Sequence, residues 1–136
     1  MRAIRIDEHG GPEVLTPVEV DRPRPGPGEV LVRTSAIGVN YIDTYYREGV
    51  YHRDLRFVPG SEGAGVIEAV GVGAPDLVVG DRVAWCQVPG SYAQYVVAPV
   101  ESVVAVPEGV DDDVAASMLL QGLTAHYLIT DTHRAA

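Results

Sequence analysis

Residues 30–47 read VLVRTSAIGVNYIDTYYR and place a strand directly before a short helical segment. Apolar and β-branched side chains recur along residues 30–37, which predicts a strand. Residues 43–48 predict a helical turn, which Gly49 ends. A second stretch, PGSEGAG at residues 59–65, is rich in glycine, which permits close backbone packing or unusual dihedral angles. These two stretches hold the polar side chains on which the functional interpretation depends.

Short extended segments fill the rest of the chain up to residue 106. Fifteen glycines and ten prolines are spread among many valines, a pattern typical of short strands joined by tight turns. The sequence therefore predicts a mainly β domain, a barrel or sandwich, with helices at its C-terminal end. Three aspartates at residues 111–113 suit the N-terminus of a helix over residues 114–120. Gly122 is expected to break that helix, and a second helix is expected over residues 123–131.

Composition and charge exclude several functions. A formal net charge of −9 argues against nucleic acid and against an anionic membrane surface as partners, because both require a footprint of Lys and Arg. The apolar fraction of 46% and the 136-residue length are those of one folded domain. Cys86 is the single cysteine, so no internal disulfide is expected. The sequence has no secretory signal and no membrane span, and a cytoplasmic location is the expectation.

Three further motifs give the chain a family resemblance. HGGPEVL at residues 9–15, VGDRV at residues 79–83 and QGLTA at residues 121–125 accompany the two stretches above, in this order and spacing. Together they resemble the medium-chain dehydrogenase/reductase superfamily, and within it the zinc-free (zeta-crystallin-like) quinone oxidoreductases. The resemblance implies that residues 1–136 form the GroES-like catalytic domain, a twisted and partly open β-barrel. The Rossmann nucleotide-binding domain of that family is expected to lie outside this chain.

The resemblance also bears on the metal. Zinc-dependent members of the superfamily carry Cys, His and Cys where this chain has Asn40, Ser61 and Gln121, all neutral and poor zinc ligands. The four-cysteine structural zinc lobe has no counterpart, since Cys86 stands alone. The histidines have no mutual ligand spacing; they are His9, His52, His126 and His133. The sequence therefore predicts no metal site.

Without zinc, neutral hydrogen-bond donors must stabilise the negative charge that grows on a carbonyl oxygen as hydride arrives. The resemblance implies that Asn40 and Tyr45 supply these donors at the substrate and nicotinamide cleft, and that Thr124 also lies near the cofactor. Other interpretations remain open: Asn40 as a turn residue, and Thr124 bonded to a preceding helix carbonyl.

Neighbouring side chains are interpreted as structural. Tyr46 is expected to pack, Asp43 and Arg47 are expected to pair across a helical turn, and Glu62 is expected to pair with an arginine or a helix terminus.

The resemblance implies the substrate domain of an NADPH-dependent quinone oxidoreductase that transfers hydride without a metal. The chain alone is expected to bind NADPH weakly and to be inactive. An enone, alkenal or enoyl-thioester reductase, or a non-catalytic GroES-like interaction module, is the alternative. The apolar side of the last helix, with Leu123, Tyr127 and Leu128, predicts a homo-oligomer.

Overall fold

The structure of the chain, a computed structural model, describes residues 1–74 and 76–132. The strands in that part are β1 Arg2–Arg5, β2 Thr16–Glu19, β3 Glu29–Gly38, β4 Glu62–Val70, β5 Arg82–Cys86, β6 Tyr95–Pro99 and β7 Val103–Ala105. The helices are α1 Tyr41–Glu48 and α2 Asp112–Tyr127, and a π-helical turn follows at Leu128–Thr132. His133, one of the histidines considered as a metal ligand, lies outside the described residues.

Five antiparallel strands form the main sheet, in the order β6-β3-β4-β5-β7, and β1 pairs with β2 in a separate hairpin. Strand β3 pairs with β4 along almost its whole length, but its pairing with β6 stops at Arg33 and Tyr95. Beyond that point a bridge between Ala3 and Ala93 joins the hairpin to the segment before β6. The described strands do not close into a ring, so the prediction of a mainly β, partly open barrel is confirmed.

The core lies on one side of the main sheet. It is formed by buried β-branched side chains from all five strands of that sheet around the fully buried Trp85. The indole N–H of Trp85 donates a hydrogen bond to Ser91 Oγ at 2.9 Å, and Ser91 Oγ donates to the carbonyl of Val88 at 2.7 Å. The polar edge of the largest core residue is therefore satisfied without water, as a buried indole requires.

Helix α2 packs across β4 and β5 through small residues, with Ala115 and Ala116 against Ala64 and Ala84. The expected break at Gly122 is wrong, because α2 runs through it from Asp112 to Tyr127. A glycine inside a helix costs about 1 kcal/mol relative to alanine, which weakens a helix without ending it. No helix within the described residues is long and apolar enough to cross a lipid bilayer.

Gly38, the last residue of β3, allows α2 to approach the sheet closely. A Cβ atom added at Gly38 would overlap the main-chain oxygen of Ala116 and would lie 2.8 Å from Glu62 Oε2. Any other residue at this position would therefore push α2 away from the sheet. The close approach brings the end of β3, the start of β4 and the middle of α2 together at one place.

Candidate active site

Two residues separate the end of β3 from the start of α1, and the second of them, Asn40, is the N-cap of the helix. The main-chain N–H of Asn40 donates to Asp43 Oδ2 at 3.1 Å, which satisfies one of the free amides at the helix start. The helix ends at Gly49, whose φ of 78° is the left-handed conformation favoured for a C-terminal cap. Both ends of α1 are thus fixed by residues that the sequence singled out.

The expected ion pair between Asp43 and Arg47 is wrong. The Arg47 guanidinium donates to Glu48 Oε1 at 2.6 Å and to the carbonyl of Gly10 at 3.1 Å. Asp43 instead accepts the Tyr92 hydroxyl at 3.2 Å, in addition to the Asn40 amide. The pairing rule for residues four apart describes an isolated helix, and here neighbouring segments offer both side chains better-placed partners.

A buried hydrogen-bond network joins three structural elements beside α1. Asn40 Nδ2 donates to Glu62 Oε2 at 3.0 Å, and Gln121 Nε2 donates to Asn40 Oδ1 at 2.6 Å. The main-chain N–H of Leu120 donates to Glu62 Oε1 at 2.7 Å. The network therefore connects the N-cap of α1, the first residue of β4 and the middle of α2.

Glu62 is the centre of this network and is fully buried, at 0% exposure. The prediction that Glu62 pairs with an arginine or a helix terminus is wrong. The partners are the Asn40 side-chain amide and an N–H in the interior of α2. Two hydrogen bonds to the carboxylate oxygens offset part of the large cost of burying this polar group.

Tyr92 links the segment before β6 to the start of α1, and the sequence analysis did not identify it. Its ring packs against Gly60, whose φ of 85° is left-handed and where an added Cβ would overlap the ring. Burial raises the pKa of the Tyr92 hydroxyl well above its ordinary value of 10.0, and the adjacent Asp43 carboxylate raises it further. The hydroxyl is therefore held as a donor to Asp43, which in turn fixes Asn40.

Tyrosines on α1, the helix that begins directly after Asn40, and on the loop after it form an aromatic surface. The Tyr45 ring contacts Tyr41 edge-on, with centroids 5.2 Å apart, and contacts Tyr51 with centroids 5.3 Å apart. Tyr45 is half-buried between its neighbours, whereas Tyr41 is 75% exposed. Tyr46 packs edge-on against Tyr51 at 5.9 Å, as expected of a packing residue. We call Tyr41, Tyr45 and Tyr51 the tyrosine surface.

Thr124 lies one turn beyond Leu120 on the exposed side of α2. Its Oγ1 donates to the carbonyl of Leu120 at 2.6 Å, which is the bond to a preceding helix carbonyl that the sequence left open as an alternative. A hydroxyl bonded in this way still has lone pairs with which to accept a hydrogen bond. The structure thus places Thr124 on the same helix as Gln121, without a hydrogen bond between them.

The three positions that correspond to zinc ligands are only partly brought together. Asn40 and Gln121 are hydrogen-bonded to each other, whereas Ser61 contributes its main-chain carbonyl to the N–H of Val88 at 3.0 Å. Within residues 1–74 and 76–132, no group of three or more His, Cys, Asp and Glu side chains is arranged to hold a metal ion. The prediction of a zinc-free site rests on the chemistry of these residues and stays a prediction.

Known proteins are similar to this chain in both sequence and fold. The sequence profile of the alcohol dehydrogenase GroES-like domain matches residues 26–108. A quinone oxidoreductase of Pseudomonas aeruginosa is 46% identical over 134 residues, which cover 97% of this chain and 41% of the relative. A 2-haloacrylate reductase of a Burkholderia species is 43% identical over 136 residues, covering 95% of this chain and 41% of that protein.

The similarity extends to solved structures. A mycobacterial protein determined in complex with NADPH has a TM-score of 0.93 and 50% sequence identity, covering 99% of this chain and 42% of that protein. The chain thus spans about two-fifths of the length of the relatives that it matches.

Proposed function

Since this chain belongs to the alcohol dehydrogenase GroES-like domain family, we propose that it is the substrate domain of an NADPH-dependent oxidoreductase that reduces quinones without a metal. Membership of the family confirms the resemblance and the GroES-like fold that the motifs predicted. The activity is a proposal because this chain spans only 41% of the Pseudomonas relative that is named a quinone oxidoreductase. We further propose that residues 1–136 form this domain only, and that the protein acts in the cytoplasm.

The observation that carries this proposal is the neutral amide pair of Asn40 and Gln121, together with the tyrosine surface on the helix that follows Asn40. Where zinc-dependent members use charged ligands, Asn40 and Gln121 are joined to each other by a hydrogen bond. Asn40 uses its amide oxygen and one amide hydrogen in the network, which leaves one N–H to donate elsewhere. The tyrosine surface offers flat apolar rings against which a quinone can stack, with contacts of the kind that aromatic pairs prefer.

The catalytic requirement is to stabilise a developing oxyanion while excluding water. NADPH, when bound, supplies the hydride. In our proposal the Tyr45 hydroxyl donates to the quinone oxygen, and the remaining Asn40 N–H provides a second donor from a rigid, buried position. Oriented neutral donors in a low-dielectric cleft are worth several kcal/mol to such a transition state, because they need not reorganise during the reaction.

The residues of the chain fit the nicotinamide end of the cofactor. Gln121 and Thr124 are both exposed residues of α2, and the Gln121 side-chain oxygen and the Thr124 hydroxyl oxygen can accept hydrogen bonds from the carboxamide of a nicotinamide ring. We therefore propose that Asn40, Tyr45 and Thr124 contact the cofactor ring. The pyrophosphate is assigned to the Rossmann domain that the family carries outside this region.

A second candidate function is reduction of an activated carbon–carbon double bond. The observation that favours it is the similarity to the 2-haloacrylate reductase, which is nearly as close as that to the quinone oxidoreductase. Hydride transfer to an α,β-unsaturated carbonyl compound also builds negative charge on a carbonyl oxygen. The same two donors would therefore serve either reaction.

The test is a chimera of this chain and the part of the Pseudomonas relative beyond the aligned region. We expect NADPH oxidation that depends on 1,4-benzoquinone, that survives a metal chelator and that exceeds the rate with 2-chloroacrylate. Tyr45→Phe should lower kcat about 100-fold, the usual effect of removing one oxyanion donor, whereas Tyr46→Phe should have little effect. A chimera that folds and binds NADPH but reduces no quinone would refute the proposal, and faster reduction of 2-chloroacrylate would favour the second candidate.

A further inference from the structure

The direction of the hydrogen bonds in the buried network is fixed by Glu62. The oxygen and nitrogen atoms of Asn and Gln amides are nearly interchangeable in shape, so either end can face a neighbour. Both carboxylate oxygens of Glu62 accept hydrogen bonds, one from the Leu120 N–H and one from the Asn40 amide. Asn40 must therefore turn its nitrogen towards Glu62 and its oxygen away.

The orientation of Asn40 determines that of Gln121 in turn. Asn40 presents its oxygen to α2, so Gln121 uses its nitrogen as the inward donor, at 2.6 Å. The Gln121 side-chain oxygen is then the atom left at the outer end of the network, and Gln121 is an exposed residue. The amide oxygen is an acceptor and cannot donate. A buried carboxylate thus controls the chemistry of a group at the protein surface, two side chains away.

We call the hydrogen-bonded side chains of Asn40 and Gln121 the relay, and the direction in which their amides donate and accept its polarity. We propose that Glu62 is a positioning residue that sets this polarity, so that the Gln121 oxygen at the surface end of the relay is an acceptor that binds a hydrogen-bond donor. The donor is the N–H of a primary carboxamide, that of a nicotinamide ring. This assignment of the ligand rests on the proposed function, whereas the polarity of the relay rests on the contacts alone.

The packing around Glu62 leaves little freedom for another arrangement. The side chain is fully buried, and Gly38 brings α2 so close that an added Cβ would lie 3.0 Å from Glu62 Cγ. The Leu120 N–H at 2.7 Å occupies one carboxylate oxygen, so only the other can face Asn40. A substitution that keeps the shape of Glu62 is therefore expected to change the polarity of the relay and not its position.

Glu62→Gln provides that change. The new amide oxygen must still accept from Leu120, so its NH2 group faces Asn40 in place of the second carboxylate oxygen. Two NH2 groups cannot face each other, and the Asn40 amide is expected to rotate by half a turn. Gln121 is then expected to rotate as well, which places its NH2 group at the surface.

A double variant offers a matched control. In Glu62→Gln combined with Asn40→Asp, the introduced aspartate accepts from both neighbouring amides. Gln121 then keeps the orientation that it has in the wild-type chain. A purely structural role of Glu62 would predict that the second substitution adds to the damage. The polarity proposal predicts that it restores the orientation of Gln121.

The readout is the exchange with water of the Gln121 side-chain NH2 protons, measured by 15N NMR on the full chain. We expect slow exchange in the wild type and in the double variant, and exchange about fivefold faster in Glu62→Gln, because one hydrogen bond is lost. Slow exchange in Glu62→Gln, or fast exchange in the wild type, would overturn the polarity proposal. If Glu62→Gln fails to fold, protection of both the Asn40 and the Gln121 NH2 groups in the wild type decides the question.

The ligand is tested with two small probes in the same NMR experiment. Nicotinamide carries a carboxamide donor, whereas 3-acetylpyridine has the same shape with an acceptor only. We expect nicotinamide to shift the Gln121 signals of the wild type at lower concentration than 3-acetylpyridine, and Glu62→Gln to reverse this order. Equal shifts, or no shift with either probe, would overturn the ligand assignment. The exchange result is independent of turnover, so its failure is distinguishable from a chimera that does not reduce quinones.

Discussion

The close approach of α2 to the sheet predicts opposite effects for the same substitution at two glycines. Gly38→Ala adds a methyl group that overlaps the main-chain oxygen of Ala116 and lies 2.8 Å from Glu62 Oε2. A main-chain oxygen inside a helix cannot rotate aside, so the whole of α2 must move. Gly122→Ala adds the same methyl group where its nearest neighbour is Met118 Cγ, at an ordinary contact distance of 3.9 Å.

The magnitudes follow from this geometry. Overpacking of this kind costs about 2–3 kcal/mol, and a loosened hydrogen bond to Glu62 adds about 1 kcal/mol. Alanine recovers about 0.5–1 kcal/mol by restricting the unfolded chain, because Gly38 does not have a positive φ. Gly38→Ala is therefore expected to lower the free energy of unfolding by about 2–3 kcal/mol, and Gly122→Ala to raise it by about 1 kcal/mol.

Urea denaturation followed by Trp85 fluorescence measures both changes, with thermal denaturation as a second probe. A chain of this size shifts its Tm by about 4 °C for each kcal/mol, so the two variants should melt on opposite sides of the wild type. The slope of the urea transition should stay the same if only the folded state is affected. A Gly38→Ala variant as stable as the wild type would refute the close packing of α2 on β3.

Three further predictions concern stability and assembly. The hydrogen bond from Arg82 lowers the pKa of Asp112 below its ordinary value of 3.8. The ionised Asp112 side chain therefore stabilises the folded state at pH values above 3.8, and this contribution is lost as the pH falls through the lowered pKa. Asp112→Asn should therefore lower the free energy of unfolding, measured by urea denaturation, by about 0.5–1 kcal/mol at pH 7 and by progressively less below about pH 4. A difference from the wild type that does not change with pH would contradict this. Tyr92→Phe should lower the free energy of unfolding by about 1–2 kcal/mol at neutral pH. Because the pKa of Tyr92 is raised in the folded state, this difference should shrink only above about pH 10. An unchanged urea midpoint would show that the hydrogen bond to Asp43 contributes nothing. The apolar outer side of α2, where Leu123 is 62% exposed, predicts dimers or larger species in sedimentation velocity that Leu123→Glu dissociates, and a monomer at high concentration would count against it.

Much of the fold could be predicted because it follows local rules. The strand before Gly38, the helical turn that Gly49 ends and the helix after the three aspartates are all present in the structure. The break at Gly122 was wrong because the weak helix propensity of one glycine is offset by the packing of α2 on the sheet. Tertiary contacts of this kind leave no periodic signal in the sequence.

The candidate site was predicted in part. Asn40 and Gln121 were identified as replacements of metal ligands, and the structure joins them by a hydrogen bond although 81 residues separate them. Glu62 was assigned the wrong partners, and Tyr92 was not identified. Both depend on contacts between segments that are distant in the chain. Glu62 and Leu120 are 58 residues apart in the sequence, and Tyr92 and Asp43 are 49 residues apart.

The sequence by itself determined the family, the mainly β character and the neutral chemistry of the site, because motifs, strand patterns and residue types are local properties. Only the tertiary structure decided how that chemistry is oriented. Both oxygens of Glu62 accept hydrogen bonds, and that polarity passes through Asn40 to Gln121 once Gly38 has let α2 come close. The direction of a hydrogen bond depends on which atoms meet in space, and residue order alone does not specify that.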